Sequence, residues 1–347
     1  MKAALFTEFR SPISIQNVPD PSLDPDGVII EVKATGICRS DWHGWMGHDS
    51  DVHLPHVPGH ELAGVVVAVG ATVRNWKKGD RVTLPFCCGC GYCPQCAEGQ
   101  QQICDNYFQP GFTSWGSFAE YVAIRYADVN LVRLPEALSF QEAAVLGCRF
   151  ITAYRGIVAQ GKLLPGQWLA VHACGGVGLS GILIGKAIGA RIIAIDIDDE
   201  KLALAKSFGA EIGINASTCD DVPTTIKELT QGGVSVSIDA LGSATTCINS
   251  ILSLRKRGKH IQIGLMTESH AIPPIPMGPI ISNELEIIGS HGMQAHQYPE
   301  MIDLILSKQI PLEKIIGHRM NLTQGATALM EMDSFKNTGV MIIDSFL

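Results

Sequence analysis

"WLAVHACGGVGLSGILIGKAIGARIIAIDID", residues 168–198, changes character several times within one short span. It opens as an apolar strand and runs into a glycine-rich turn at 173–178. Residues 179–189 then carry helical periodicity, and 191–198 read as a second, fully buried strand. Strand, tight turn, helix and strand make a β-α-β unit. Residues 168–185 hold no Asp, Glu, Lys or Arg and have the length of a membrane span, but the glycines clustered from 175 onward favour the broken reading. The dinucleotide pattern G-x-G-x-x-G falls on Ala173, Gly175 and Gly178, so Ala stands where the pattern has its first Gly. Gly176 adds backbone freedom, Val177 completes the turn, and phosphate can sit on the N–H groups that open the helix. Asp196 closes the second strand 21 residues after Gly175. A carboxylate there accepts both ribose hydroxyls and repels a 2′-phosphate, which favours NAD over NADP. Asp198 and Asp199 add to that repulsion.

Further along, "VSVSIDALG" (234–242), "HIQIGL" (260–265) and "LEIIGS" (285–290) are β-rich apolar runs separated by helical segments, as in a parallel sheet. The expected class is α/β, with a doubly wound Rossmann domain over 150–288. Towards the N-terminus, "VIIEVKATGIC" (28–38) and "HELAGVVVAVG" (60–70) read as strands of a separate, irregular β domain. No internal repeat or low-complexity linker interrupts the chain.

The bulk properties exclude several classes. The chain has 347 residues, 46% of them hydrophobic and 17% charged, enough for two domains with sizeable cores. A formal charge of −8 argues against nucleic acid or an anionic membrane as the main partner. The start, "MKAALFTEFRSPISIQ", has no apolar signal core, so the expected compartment is the cytoplasm, where stable disulfides are rare.

That expectation bears on the densest cysteine cluster. Of eleven cysteines, six fall between 87 and 104. A disulfide framework, a redox pair and a metal site compete, and a reduced setting favours metal. Cys90, Cys93, Cys96 and Cys104 fit C-x2-C-x2-C-x7-C, a spacing that closes a tetrahedron of thiolates around Zn²⁺. Four protein ligands leave no open position, so this lobe (87–105) would be structural. A cluster of free thiols and a nucleic-acid zinc ribbon are the competing readings. Cys87 and Cys88 fall outside the spacing and read as buried or spare thiols.

"GICRSDWHGW" (36–45), "VPGHELAG" (57–64) and "AVLGCRFITAY" (144–154) are each weak signals alone. A lone His is usually a satisfied core or surface residue, and a Cys in "AVLGC" is usually core filler. Together with the four-Cys knuckle and "GGVG", in this order, they make the chain resemble the zinc-dependent medium-chain alcohol dehydrogenases nearly from end to end. The resemblance implies a GroES-like β-rich catalytic domain over 1–149 and 289–347, with the Rossmann domain between. It implies two zinc ions per chain and NAD. Cys38, His60 and Cys148 would hold a catalytic zinc whose fourth position is open. Hydride would pass to NAD from an alcohol deprotonated at that zinc. Glu61 would lie behind the metal, and Asp41 would fix the imidazole of His60. Ser40 would take the alcohol proton and His43 would be the outer acceptor. Arg39 would contact the cofactor pyrophosphate and Lys201 the ribose. Trp45 and Phe86 would line a pocket for small primary alcohols and their aldehydes, with Trp42 and Trp115 as further candidates. A homodimer or homotetramer is expected by analogy. Within the family, dehydrogenases of polyols, secondary alcohols, threonine or formaldehyde compete; relatives acting on polyols often carry Glu where this chain has Cys148. From another class, a non-catalytic zinc- and nucleotide-binding protein competes, although such relatives lack the ligands that this chain keeps.

Overall fold

The computed structural model describes residues 1–267, 270–334 and 339–346; of the segment 289–347 assigned above to the catalytic domain, 335–338 and 347 lie outside the described residues. The chain packs into two compact units, one of Met1–Ile151, Gly292–Leu306 and Pro311–Leu347, the other of Thr152–His291 and Ser307–Ile310.

The second unit is built on a six-stranded parallel sheet. From edge to edge its order is Ile212–Asn215, Arg191–Asp196, Trp168–His172, Val234–Asp239, Leu254–Gln262 and Glu286–Gly289. From Trp168–His172 the chain adds its next two strands on one side of the sheet and its last three on the other. The switch therefore lies beside Trp168–His172, where such sheets bind ligands. The inner strands are apolar because both faces are covered: Leu169, Ala170, Val171, Ile192, Ile193 and Ala194 are fully buried. Glu286–Gly289 is the parallel strand that its sequence suggested, but it is less covered than the inner strands. It is the sheet's edge, and Ile287 is 42% exposed. The span 168–185 divides as read, into a strand, a turn and the helix Gly176–Ile188. Among the described residues no helix is long and apolar enough to cross a membrane.

The first unit holds a seven-stranded, mostly antiparallel sheet. Its long central strands, Val28–Ile37 and Glu61–Val69, pair in antiparallel register. Val28–Ile37 alternates buried and half-buried positions until residue 34 and is then buried on both faces. That change marks where the chain enters the core, immediately before Cys38.

Candidate metal and nucleotide sites

Two strand ends deliver the first cluster. Val28–Ile37 stops at Cys38, which precedes the helix Arg39–Met46; Glu61–Val69 begins just after His60. Cys148 comes from a separate stretch, the π-helical turn Leu146–Phe150. Such wide turns recur at functional sites because they displace a side chain from its helical position. Ligand atoms of Cys38, His60, Glu61 and Cys148 all lie within 4.8 Å of one another.

Asp41 organises this cluster. Its carboxylate is 1% exposed and accepts three N–H groups: Nδ1 of His60 at 2.7 Å, the Gly59 backbone at 3.0 Å and the Cys38 backbone at 2.9 Å. With Nδ1 donating to Asp41, Nε2 points away from it. That Nε2 is buried without a hydrogen-bond partner. A buried, unpaired imidazole nitrogen beside two thiols suits a cation that takes nitrogen and sulfur. The hydrogen bond with Cys148 holds the Cys38 thiol well below its usual value, against the opposing effect of burial. Cys148 keeps the shared proton and is pushed up, by that hydrogen bond and then by burial. For His60, burial acts downward, but the charge and hydrogen bond of Asp41 outweigh it and raise the imidazole.

Glu61 touches the cluster and a buried cation at once. Its Oε1 accepts from the Arg149 backbone at 3.1 Å and from Nε at 3.0 Å, and its Oε2 pairs with Nη2. Nη1 of Arg149 donates to the Ile37 carbonyl at 3.1 Å. Burial raises Glu61, with Arg149 opposing it. Gly36 leaves the room this pair needs, since a Cβ there would come 2.2 Å from Oε2 of Glu61.

Around the cluster, Ser40 Oγ lies 3.9 Å from Cys38 Sγ. His43 follows one helical turn later, and its Nδ1 lies 3.0 Å from Nδ1 of His48. The rings of Phe86 and Phe112 meet His60 edge-on, with centroids 6.0 and 5.4 Å away. Trp42 is buried with the Arg39 guanidinium 3.8 Å from its ring centre. Trp45 packs on a core cluster and donates to the Ser11 carbonyl at 2.8 Å; Trp115 donates to that of Pro55. Arg39 reaches the Met332 carbonyl at 3.1 Å and Asp333 at 3.0 Å.

The second cluster is the knuckle. Cys90, Cys93, Cys96 and Cys104 are all buried, with their sulfurs within 4.8 Å of one another. They are free thiols: Cys93 and Cys104 stand 3.6 Å apart, against ~2.05 Å for a disulfide. Backbone N–H groups aim at the sulfurs, from Cys90 and Asn106 to Cys104 and from Cys96 to Cys93. Although burial acts upward, hydrogen bonds from the Tyr92 backbone and Asn106 bring Cys90 down to about 6. These donors favour the thiolate, the form that binds metal, at Cys90, whereas at Cys104 burial outweighs its two N–H donors and pushes the thiol up to about 12. Cys87 and Cys88 are fully buried and stand outside this set.

The glycine-rich turn makes the third site. Ala173 adopts φ +76°, a left-handed conformation natural to the Gly that it replaces. Gly178 cannot be replaced as freely, since a Cβ would lie 1.9 Å from the Ala173 carbonyl oxygen. A Cβ on Gly175 would meet nothing within 4 Å, so the face of the turn is open. Gly175 caps the helix Gly176–Ile188 with no side-chain hydrogen bond, leaving its first N–H groups for a ligand. Asp196 accepts from the backbone N–H of Cys174 at 2.7 Å, Ile197 at 2.8 Å and Asp198 at 3.1 Å. Its carboxylate is thereby fixed at the strand end above the turn. Lys201 lies in the first turn of the following helix, Asp199–Phe208.

Known proteins resemble this chain along most of its length. A family model described as "Alcohol dehydrogenase GroES-like domain" matches residues 24–136, and one described as "Zinc-binding dehydrogenase" matches 176–307. An alcohol dehydrogenase of Geobacillus stearothermophilus is 36% identical over 293 residues, 84% of each chain. The chain belongs to the zinc-type medium-chain alcohol dehydrogenase family. A second member, sorbitol dehydrogenase of Bacillus subtilis, is 33% identical over 97% of this chain and 95% of its own. Among solved structures, alcohol dehydrogenase TADH from Thermus sp. ATN1 superposes with a TM-score of 0.90 at 30% identity, over 100% of both chains. The family fold, a GroES-like domain with a Rossmann-type parallel sheet, is the fold seen here.

Sequence reasoning passed over Arg149, Phe112, Asn106 and His48. Arg149 adjoins Cys148 in sequence and so carried a faint signal. Phe112 carried none, because only folding brings it to His60.

Proposed function

We propose that this member of the family is an NAD-dependent, zinc-dependent alcohol dehydrogenase that interconverts small primary alcohols and their aldehydes. The observation that carries the reading is the buried Nε2 of His60, unpaired and facing two thiols. Cys38, His60 and Cys148 would hold a catalytic zinc, and Cys90, Cys93, Cys96 and Cys104 a structural one. Zinc bound there would act as a Lewis acid and lower the pKa of an alcohol. NAD would accept the hydride.

The chain's own residues then have defined tasks. Asp41 holds the His60 ring so that Nε2, not Nδ1, faces the thiols. Glu61, tethered by Arg149, sets the negative charge beside them. Ser40 takes the hydroxyl proton and His43 receives it. Gly175, Gly176, Val177 and Gly178 offer backbone to the dinucleotide phosphates and Arg39 adds a guanidinium. Asp196 and Lys201 bind the adenosine ribose, and the Asp196 charge disfavours NADP. Phe86 and Trp45 bound the substrate pocket. In this reading residues 1–149 and 289–347 form the catalytic domain and 150–288 the cofactor domain. The chain works as a cytoplasmic homo-oligomer.

A polyol substrate is the second reading, favoured by the likeness to the sorbitol dehydrogenase. One experiment separates the two. NADH formation is followed with zinc-loaded protein across primary, secondary and polyol alcohols, with NADP in parallel and a chelator-treated control. Chelator-sensitive turnover of primary alcohols with NAD supports the first reading, and preference for polyols supports the second. Cys148→Ala should abolish turnover while leaving NADH binding intact. Full activity in that variant would remove the catalytic assignment.

A further inference from the structure

At the carboxyl ends of the parallel strands in the second unit, His172, Asp239 and Gln262 stand in register on adjacent strands. Asp239 is fully buried. Its Oδ1 accepts from the Leu241 backbone at 2.9 Å and the Gly242 backbone at 3.0 Å, and its Oδ2 accepts from Nε2 of Gln262 at 2.9 Å. The same Nε2 donates to the Gly264 carbonyl at 2.9 Å. The backbone carbonyl of Asp239 accepts from Ile263 at 3.1 Å and Gly264 at 2.9 Å. One carboxylate and one amide thus tie together the loops that follow two strands. The loops also touch through bare backbone. Gly242 has φ +91°, and a Cβ there would come 2.1 Å from the Leu265 carbonyl oxygen.

The partners fix the direction of every bond behind this clamp. Both acceptors of Gln262, Asp239 and Gly264, lie on its Nε2, which leaves Oε1 for Nε2 of His260 at 3.1 Å. That ring nitrogen therefore carries the hydrogen. Nδ1 then accepts from the Ser250 hydroxyl at 2.7 Å, and Ser250 accepts from Ser237 at 2.7 Å. Burial lowers His260, in keeping with the neutral ring. From Ser237 through Ser250, His260 and Gln262 to Asp239, each bond points towards the loops, and aligned bonds strengthen one another. What the loops present is apolar: Leu241 is 51% exposed and Leu265 55%. The turn 173–178 and Asp196 belong to strands on one side of the switch. A dinucleotide laid across such a crevice puts its second half over the strands on the other side. We infer that Gln262 and Asp239 are positioning residues for the nicotinamide half of NAD, holding loops 240–242 and 263–265 as its seat, with Leu241 and Leu265 against the ring. The inference rests on the NAD reading proposed above.

The test titrates NADH, and ADP-ribose as the same molecule without nicotinamide, against the zinc-loaded protein. Parent, Gln262→Leu, Ile226→Ala and the double variant Leu241→Ala with Leu265→Ala are compared, with melting temperatures recorded first. Ile226 is fully buried in the core of the same unit, so its truncation shows what loss of stability does by itself. The parent should bind NADH more tightly than ADP-ribose. Gln262→Leu should weaken NADH about fivefold and leave ADP-ribose within about twofold of the parent. Ile226→Ala should lower the melting temperature without separating the two ligands. The two leucines are exposed, so their variant should melt like the parent and lose about fivefold in NADH alone. Equal weakening of both ligands in Gln262→Leu, or of neither, would overturn the inference and leave the NAD reading standing. So would an equal loss of NADH selectivity in Ile226→Ala. If Gln262→Leu does not fold, the leucine variant decides, and unchanged NADH affinity there overturns the inference. A parent that binds neither ligand would remove the NAD reading as well.

Discussion

At the residue scale the sharpest commitment is Arg149. Its side chain is 10% exposed, and it neutralises Glu61, which is fully buried. Breaking such a pair from one side strands a charge in low dielectric, whereas removing both partners does not. Arg149→Met should therefore cost about 3–5 kcal/mol of unfolding free energy. The loss should be greatest at alkaline pH, where a Glu61 already raised by burial stays ionised. Glu61→Gln combined with Arg149→Met should recover most of the loss. Urea melts of the three proteins at two pH values check this, and a double variant no more stable than Arg149→Met would contradict it. The partnership was half legible in the sequence: Glu61 follows His60, but the strand and the π-helical turn that bring Arg149 to it are far apart in the chain.

Among the elements, the nucleotide-binding turn shows how a degenerate motif still works. Ala173 pays for a left-handed conformation that Gly would adopt freely, while Gly178 is required by the Ala173 carbonyl. The two positions should respond in opposite senses. Ala173→Gly should raise stability or leave it level, because relief of roughly 1 kcal/mol of strain is offset in part by the greater freedom of the unfolded chain. NADH affinity should be retained. Gly178→Ala should displace the turn and weaken NADH binding at least tenfold. Thermal melts and NADH fluorescence titration read both, and tight NADH binding by Gly178→Ala would contradict the account. The knuckle behaves as an element of another kind. Its spacing was plain in the sequence, but the N–H groups that Cys90, Cys96 and Asn106 direct at sulfur appear only once the loop is closed. Cys96→Ser should lower the melting temperature and the zinc content together, with one metal lost per chain, because metal binding there is folding energy. Unchanged values in that variant would place the metal elsewhere.

For the molecule as a whole, acid should act through groups buried neutral in the second unit. His172 ends the central strand of the parallel sheet. Burial, with a smaller effect from His260, lowers it to about 3. In the unfolded chain an imidazole takes up its proton below about 6.5. Between those values the unfolded state binds more protons, so stability is full above pH 6.5 and falls as pH drops towards 3. His172 alone should remove about 2 kcal/mol between pH 7.5 and 5. Burial lowers His260 too, which acts in the same sense. Urea unfolding of the parent and His172→Leu should show a shallower acid slope in the variant; equal slopes would clear His172 of the effect. What the sequence determined by itself was whatever local pattern encodes: the β-α-β unit, because periodicity and glycine placement act within one short span, and the knuckle, because four ligands crowd into fifteen residues. The scattered ligands could be named only by their resemblance to a family, since Cys38, His60 and Cys148 have no local relation to one another. The tertiary structure alone decided the Arg149 clamp on Glu61, the three N–H groups gathered by Asp41, the rings around His60, and the exposure of the last sheet strand. Each depends on long-range packing, where the partner of a side chain is set by the fold and not by its neighbours in sequence.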